Sequence, residues 1–229
     1  MSKNESYRYE RKFLISGLMR QEVESLVTLH PAMFSEIYHQ RFINNIYLDS
    51  SDMRSYFDNV NGSQHRKKLR IRWYGDLFGA IEEPILELKT KDGLLGSKLS
   101  FALRPFSVDE RNFRFDEIMN AVEGSDIADA IRAEFAFLEP VLINRYSRKY
   151  YMSADGDYRI TIDSDVAFYR VNTHNRSLSH KLSDSTDTIL ELKYHQDRDY
   201  RAKRIASHFP FRMTKSSKYV SGIEKLYAW

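Results

Sequence analysis

The stretch His65–Tyr74, HRKKLRIRWY, constrains this chain more than any other, because Leu69, Ile71 and Trp73 alternate with Lys68, Arg70 and Arg72. A period of two belongs to a strand, whose successive side chains point to opposite faces. The same alternation recurs in Pro84–Lys91, where Leu86 and Leu88 oppose Glu87, Lys89 and Lys91, and in Thr188–Tyr194, where Leu190 and Leu192 oppose Glu191 and Lys193. Phe42–Leu48, Lys98–Leu103, Val141–Met152 and Asp157–Tyr169 read as further strands. Lys91-Asp92-Gly93 and Ala154-Asp155-Gly156-Asp157 are turn signals that join neighbours as antiparallel hairpins. Helical patterns cover Ser16–Leu29, Ser107–Val122, Ile127–Phe137, Asp199–His208 and Ser217–Leu226, and the polar run from Asn172 to Asp187 reads as a long loop.

The chain is therefore α+β and β-dominated. Seven or more strands either leave exposed sheet edges or close on themselves, and closure removes the edges, which favours a barrel. The apolar face offered by Leu69, Ile71, Trp73, Leu86, Leu88, Leu190 and Leu192 gives the helices a surface to pack on, so the helices belong outside and the charges inside. Arg and Lys at consecutive same-face positions repel one another unless an anion lies among them. Buried cations also lose hydration worth several kcal/mol each, and a polyanion offsets both costs. Forked guanidinium groups mixed with point-charge ammonium groups suit a row of phosphates better than one carboxylate.

Composition sets limits on this reading. With 35 Lys+Arg against 32 Asp+Glu in 229 residues, the net charge of +3 does not itself announce a polyanion partner, so charge has to be read locally. The absence of Cys excludes disulfides, thiolate zinc sites and a cysteine nucleophile. The start, MSKNESYRYERKF, has no apolar core of a signal sequence, and no uncharged apolar run nears the roughly 18 residues that span a bilayer. The expectation is a single cytoplasmic domain over 1–229, without membrane insertion. No Walker A sequence and no Gly-x-Gly-x-x-Gly follows a strand, so phosphate recognition falls to side chains. Fifteen Tyr and fourteen Phe raise RNA binding as an alternative, but Trp73 and Tyr74 fall at the strand end and outer face, and no nucleic-acid signature is present.

Several motifs carry a resemblance that runs in order from Tyr9 to Tyr227: RYERKF, NNIYLDS, RKKLRIRWYG, LELKTKDG with SKLSF, RYSRKYY, ITIDSDV, ILELKY and TKSSKYVSGIEKLY. Together they resemble the vacuolar transporter chaperone (VTC) domain of the triphosphate tunnel metalloenzymes, the CYTH-like superfamily. The resemblance implies an antiparallel eight-stranded closed tunnel barrel with accessory helices outside. It implies a metal-dependent phosphotransferase of the polyphosphate polymerase kind, acting on the γ-phosphate of ATP or another nucleoside triphosphate and on inorganic polyphosphate or tripolyphosphate. Carried over by motif, Lys12, Arg70, Arg72, Lys89, Lys98, Arg148, Lys215 and Lys218 would contact phosphates, and Tyr146 and Ser217 would hydrogen-bond to them. Arg70, Arg72, Lys89, Arg148 and Glu191 would be catalytic, with Glu191 holding Mn²⁺ or Mg²⁺.

The triphosphatase branch opens with Glu-x-Glu-x-Lys, whereas Arg8 stands two residues before Glu10 here, a basic group in the place of an acidic ligand. Inorganic triphosphatase or nucleoside triphosphatase activity, and a non-catalytic polyphosphate- or nucleotide-binding module, remain the alternatives. Each charged position also has a structural reading. Glu191 is either a metal ligand or an inward carboxylate neutralised by Lys193 or a cross-strand Arg, and Glu10 and Glu87 are expected to balance charge. Lys215 and Lys218 would share a face if their segment is helical. Asp163 and Asp165 are expected to pair with Arg159, and the histidines show no ligand spacing.

Overall fold

The computed structural model describes residues 8–92, 95–172, 177–184 and 186–227. The strands are β1 (Arg8–Ile15), β2 (Ser35–Asp49), β3 (His65–Tyr74), β4 (Gly79–Ile81), β5 (Ile85–Asp92), β6 (Leu95–Ala102), β7 (Phe106–Val108), β8 (Glu139–Met152), β9 (Tyr158–Asn172), β10 (Ser177–Asp184) and β11 (Thr188–His195). The helices are α1 (Arg20–Thr28), α2 (Arg54–Val60), α3 (Phe115–Glu123), α4 (Asp129–Phe135), α5 (Asp199–Ser207) and α6 (Lys218–Leu226). None of the described helices is long and apolar enough to cross a membrane. The chain divides into two compact units, the first made of Met1–Arg41, Tyr146–Val166 and Ser183–Ser217, the second of Phe42–Arg145, Ala167–Leu182 and Lys218–Trp229.

In the first unit, β1 pairs antiparallel with β11 and β11 with β9. The apolar side chains of these strands, among them Phe13, Ile160, Ile162, Leu190 and Leu192, are buried with Val23 and Val27 of α1 and Ala202 and Ile205 of α5. In the second unit, β2, β3, β5 and β6 pair antiparallel in that order. Leu69, Ile71, Trp73, Leu86 and Leu88 are buried there under Ile118, Ala121 and Val122 of α3 and Ile131 and Phe135 of α4. The apolar side of each ladder thus lies under helices, as the alternation of HRKKLRIRWY and ILELKY requires; each such Leu or Ile contributes roughly 1.5–3 kcal/mol by leaving water.

The antiparallel, β-dominated α+β architecture is as expected, and closure of the sheet is not seen among the described residues. The ladders form a nine-stranded sheet in the order β1-β11-β9-β8-β2-β3-β5-β6 with β10 on β9, and among the described residues nothing joins β6 back to β1. Closure was expected because it removes bare edges, but the free edge of β1 is covered by other means. The extended segment 211–217 lies along it, with Thr214 N–H donating to the Lys12 carbonyl at 2.8 Å and Leu14 N–H donating to Thr214 Oγ1 at 2.9 Å. At the other end β6 carries Lys98, a charge of the kind that discourages strand addition.

Local chemistry explains the other departures. The run Asn172–Asp187, expected as a loop, contains β10, which pairs with β9. The helix expected from Ser107 starts only at Phe115, because Phe106–Val108 pairs with Gly79–Ile81 and Asp109 Oδ1 accepts the N–H groups of Arg111 and Asn112, closing a turn. Helix α2, unforeseen, is capped from a distance: the buried Asp49 carboxylate accepts the N–H groups of Ser55 and Tyr56 at 2.8 and 3.0 Å. In β9, Ile160 and Ile162 belong to the core of the first unit, whereas Ala167, Tyr169 and Val171 belong to that of the second. Asp165 lies between them in sequence with φ of 54°, a left-handed conformation uncommon for a residue other than glycine. The turn signal at Gly93 lies outside the described residues.

Candidate functional site

Register alone assembles the polar face of the first unit. Lys12 of β1 stands opposite Glu191 of β11, which stands opposite Thr161 of β9; Glu10, Lys193 and Arg159 form the next row. Glu191 is buried, and its carboxylate meets Lys193 Nζ at 2.7 Å, Lys12 Nζ at 3.3 Å and Arg148 Nη2 at 3.4 Å, while accepting from Thr161 Oγ1 at 3.3 Å. Arg148, from β8, forks onto the fully buried Asp163 with Nε and Nη2 at 2.5 and 2.6 Å, and its guanidinium lies 5.3 Å from the ring centre of Tyr146. Glu10 completes the set, 3.6 Å from Lys12 and 3.8 Å from Lys193.

Three cations, Lys12, Arg148 and Lys193, thus meet three carboxylates, Glu10, Asp163 and Glu191. Burial by itself would lower the Lys12 pKa, but the adjacent carboxylates of Glu191 and Glu10 raise it above the ordinary lysine value. Arg148 is likewise held charged: burial opposes this, and Asp163 foremost outweighs it. The expected pairing of Asp163 and Asp165 with Arg159 is corrected. Asp163 engages Arg148, whereas Asp165 lies 3.7 Å from Arg20 and accepts from Ser164 Oγ at 2.9 Å.

The second unit is different in its charge balance. On the polar face of β3, β5 and β6, Arg70 stands opposite Glu87, and Lys68, Lys89 and Lys98 lie in one cross-strand row. Glu87 is buried and receives Arg70 Nε at 2.7 Å, Arg70 Nη2 at 2.6 Å, Lys98 Nζ at 2.9 Å and Arg72 Nη1 at 3.7 Å. Burial would raise its pKa, yet Arg70, Arg72 and Lys98 hold it well below the usual carboxylate range. By register Arg66, Lys68, Arg70, Arg72, Lys89, Lys91 and Lys98 lie on the face that Glu87 shares, among the described residues of these three strands. Like charges directly opposite in a ladder repel one another. Arg72 also donates from Nε to Asn45 Oδ1 at 3.0 Å, and Asn45 Nδ2 donates to Asn144 Oδ1 at 2.8 Å.

The remaining sequence candidates are spread more widely. Lys215 is exposed and Ser217 half-buried in the non-helical segment before α6, whose first residue is Lys218. The shared helical face expected for Lys215 and Lys218 is thus absent, since Lys215 precedes the helix. Lys89 is exposed, and Lys98 is half exposed despite its bond to Glu87. Trp73 is core, donating Nε1–H to the Asp76 carbonyl, and offers no platform for a base. The side chain of Arg8 lies outside the described residues.

Sequence reasoning missed Asn45, Asn144 and Thr161. A signal for the first existed: a pair of Asn in the apolar run FINNIYL has to be matched by partners if buried. Among the described residues no group of three or more His, Asp or Glu is placed to hold a metal ion. A hard divalent ion needs only one or two carboxylates, with phosphate oxygens and water filling its other positions. Glu191 fits that single-carboxylate role provided Lys12 or Lys193 gives way.

Fold and polar faces define the class: an antiparallel α+β sheet protein whose charged strand faces are built from Arg, Lys and buried carboxylates. The same fold is found in solved structures of low sequence identity. A Hippeastrum protein described as a candidate adenylyl cyclase with dominant triphosphatase activity aligns with TM-score 0.56 and 12% identity over 96% of each chain. A candidate adenylate cyclase from Bacillus halodurans aligns with TM-score 0.53 and 14% identity over 98% of this chain and 100% of its own. One from Vibrio parahaemolyticus gives TM-score 0.52 and 11% identity over 94% and 97%. No curated protein matches the sequence. The family model of the VTC domain matches residues 7–227, and the chain belongs to that family.

Proposed function

We propose that this protein binds the triphosphate of a nucleotide, or a longer polyphosphate, and transfers the γ-phosphoryl group of ATP to a phosphate-chain acceptor. The observation that carries this reading is the convergence of Arg70, Arg72 and Lys98 on the buried Glu87, beside the cross-strand row of Lys68, Lys89 and Lys98. The guanidinium groups of Arg70 and Arg72, held on Glu87, are preorganised donors for phosphate oxygens. Membership of the VTC family supports the same substrate class. The reading assigns phosphate oxygens to Lys12, Arg148, Tyr146, Lys215 and Ser217 in the first unit and to Arg70, Arg72, Lys89, Lys98 and Lys218 in the second.

In the transfer, a terminal phosphate oxygen of the acceptor bonds to the γ-phosphorus while the bond to the β–γ bridging oxygen breaks and ADP leaves with the electron pair. Such a step asks for in-line positioning and neutralisation of the γ-phosphate oxygens, the role this reading gives to Arg70 and Arg72 in the second unit. Asp163 keeps Arg148 in one orientation, and Lys89 and Lys98 neutralise the leaving phosphates. Glu191 would hold a divalent ion, Mn²⁺ or Mg²⁺, whose charge would help neutralise the phosphates.

A second reading, a binding module without turnover, is favoured by the charge balance around Glu191, which is met by three cations. The decisive test is purified protein with ATP and Mn²⁺, with and without a short polyphosphate primer. Chains resolved on a gel together with stoichiometric ADP are the expected result. Orthophosphate without chains would replace the polymerase reading by a hydrolase, and binding with no ADP would replace it by the module.

A further inference from the structure

The hydrogen bonds Arg72 to Asn45 to Asn144 run in one direction only. A guanidinium has donors and no acceptor, so Asn45 has to present its oxygen to Arg72 Nε–H, which it does at 3.0 Å. That orientation turns Asn45 Nδ2 towards Asn144, whose oxygen accepts at 2.8 Å. The second amide is thereby oriented too, and its Nδ2 is left as the outgoing donor. Asn144 is fully buried, and among the described residues this Nδ2 has no hydrogen-bond partner. Flipping either amide does not relieve the mismatch, because it would set an NH₂ group against an N–H of Arg72 or of its neighbour.

A buried donor without an acceptor is rare in folded proteins and points to a group that the bare chain does not supply. What is required is an acceptor oxygen at the end of a chain polarised by a cation. Asn45 lies opposite Arg72 in the β2–β3 ladder, so the donor belongs to the surroundings of Arg72. We propose that Asn144 Nδ2 donates to an oxygen of a bound phosphate group, making the Asn45–Asn144 pair a substrate-positioning element that extends the reach of Arg72. This rests on the phosphate-binding reading above and adds to it two neutral residues. Neutral donors at this place add direction without adding repulsion to a face already rich in cations.

The test compares Asn144→Asp with the unaltered protein, measuring tripolyphosphate and ATP affinity by titration calorimetry and unfolding midpoints without ligand. The Asp side chain keeps an acceptor for Asn45 Nδ2 and removes the outgoing donor. Asn144→Leu serves as the apolar counterpart if the carboxylate variant fails to fold. The expected result is affinity weaker by about ten-fold or more, the size of a lost hydrogen bond to a charged group. A loss with tripolyphosphate, with or without ATP, supports the proposal. In ¹⁵N-edited spectra the side-chain NH₂ pair that vanishes in the variant should also shift when tripolyphosphate is added to the unaltered protein.

Equal affinities in variant and unaltered protein, with only the unfolding midpoint moved, would overturn the proposal and leave Asn144 Nδ2 to a structural water. Absence of binding by the unaltered protein would defeat the phosphate reading and this inference together. The two failures are thus told apart by the unaltered protein alone.

Discussion

Replacing Glu87 by Gln separates an anion-binding face from a merely salt-bridged one. Among the described residues of β3, β5 and β6, Glu87 is the carboxylate of the polar face, and it meets Arg70, Arg72 and Lys98. Lys98 is half exposed, so solvent screens its share, and the loss falls chiefly on the two partly buried guanidinium groups. Breaking a buried ion pair by neutralising one partner costs about 3–5 kcal/mol, most of it from stranding the other charge. Without ligand, Glu87→Gln should therefore lose about 3 kcal/mol in urea or guanidinium denaturation. The same substitution makes the face more positive, so tripolyphosphate should bind the variant at least as tightly and restore most of the loss. Ligand at 100 times its Kd returns about 2.7 kcal/mol. The assay is a denaturation series with tripolyphosphate set against sodium chloride at equal ionic strength. Equal rescue by chloride, or none by tripolyphosphate, would refute the argument that this face is built around a multiply charged anion.

Other outcomes follow from single sites. Glu191→Gln should abolish metal-dependent turnover while retaining most tripolyphosphate affinity, read as ADP release against calorimetric Kd; unchanged turnover would remove Glu191 from the chemistry. His30 accepts the Ala32 N–H at Nδ1 and pairs Nε2 with the Ile205 carbonyl, an arrangement that suits the neutral ring. Burial foremost lowers its pKa below the ordinary 6.5, so its contribution is present above that pH and lost as pH falls through the folded value. The unfolding midpoint should accordingly decline between about pH 7 and 5, and His30→Gln should flatten that slope. Gly222→Ala would put a Cβ 2.5 Å from Leu142 Cδ2 and 2.7 Å from Phe168 Cδ1, and should cost about 1–3 kcal/mol in thermal or chemical denaturation through overpacking.

Much of the second unit could be read from alternation. HRKKLRIRWY occupies the same ten positions as β3, and its apolar half lies under α3 and α4 because helices need a surface to cover. What escaped depends on partners remote in sequence. Helix α2 is started by the Asp49 carboxylate, and β10, SLSHKLSD, is largely polar and is held by pairing with β9. Candidate residues such as Arg70, Arg72 and Arg148 could be picked by type and spacing, but their carboxylate partners could not. Glu191 has both its oxygens engaged by cations from β1, β8 and its own strand, and no local pattern shows that. The preference for a closed barrel assumed that bare edges have one remedy, and segment 211–217 is another.

The left-handed Asp165 has a meaning for how this chain tolerates change in length. It stands inside β9, where side chains alternate between faces: shorten the strand by that one residue and every later side chain moves to the other face, so that Arg170 comes to the place of the buried Tyr169. Loops absorb insertions and deletions because nothing downstream depends on their count. Here the count itself is structural information, and a deletion of a single exposed aspartate would cost more than most substitutions in the core.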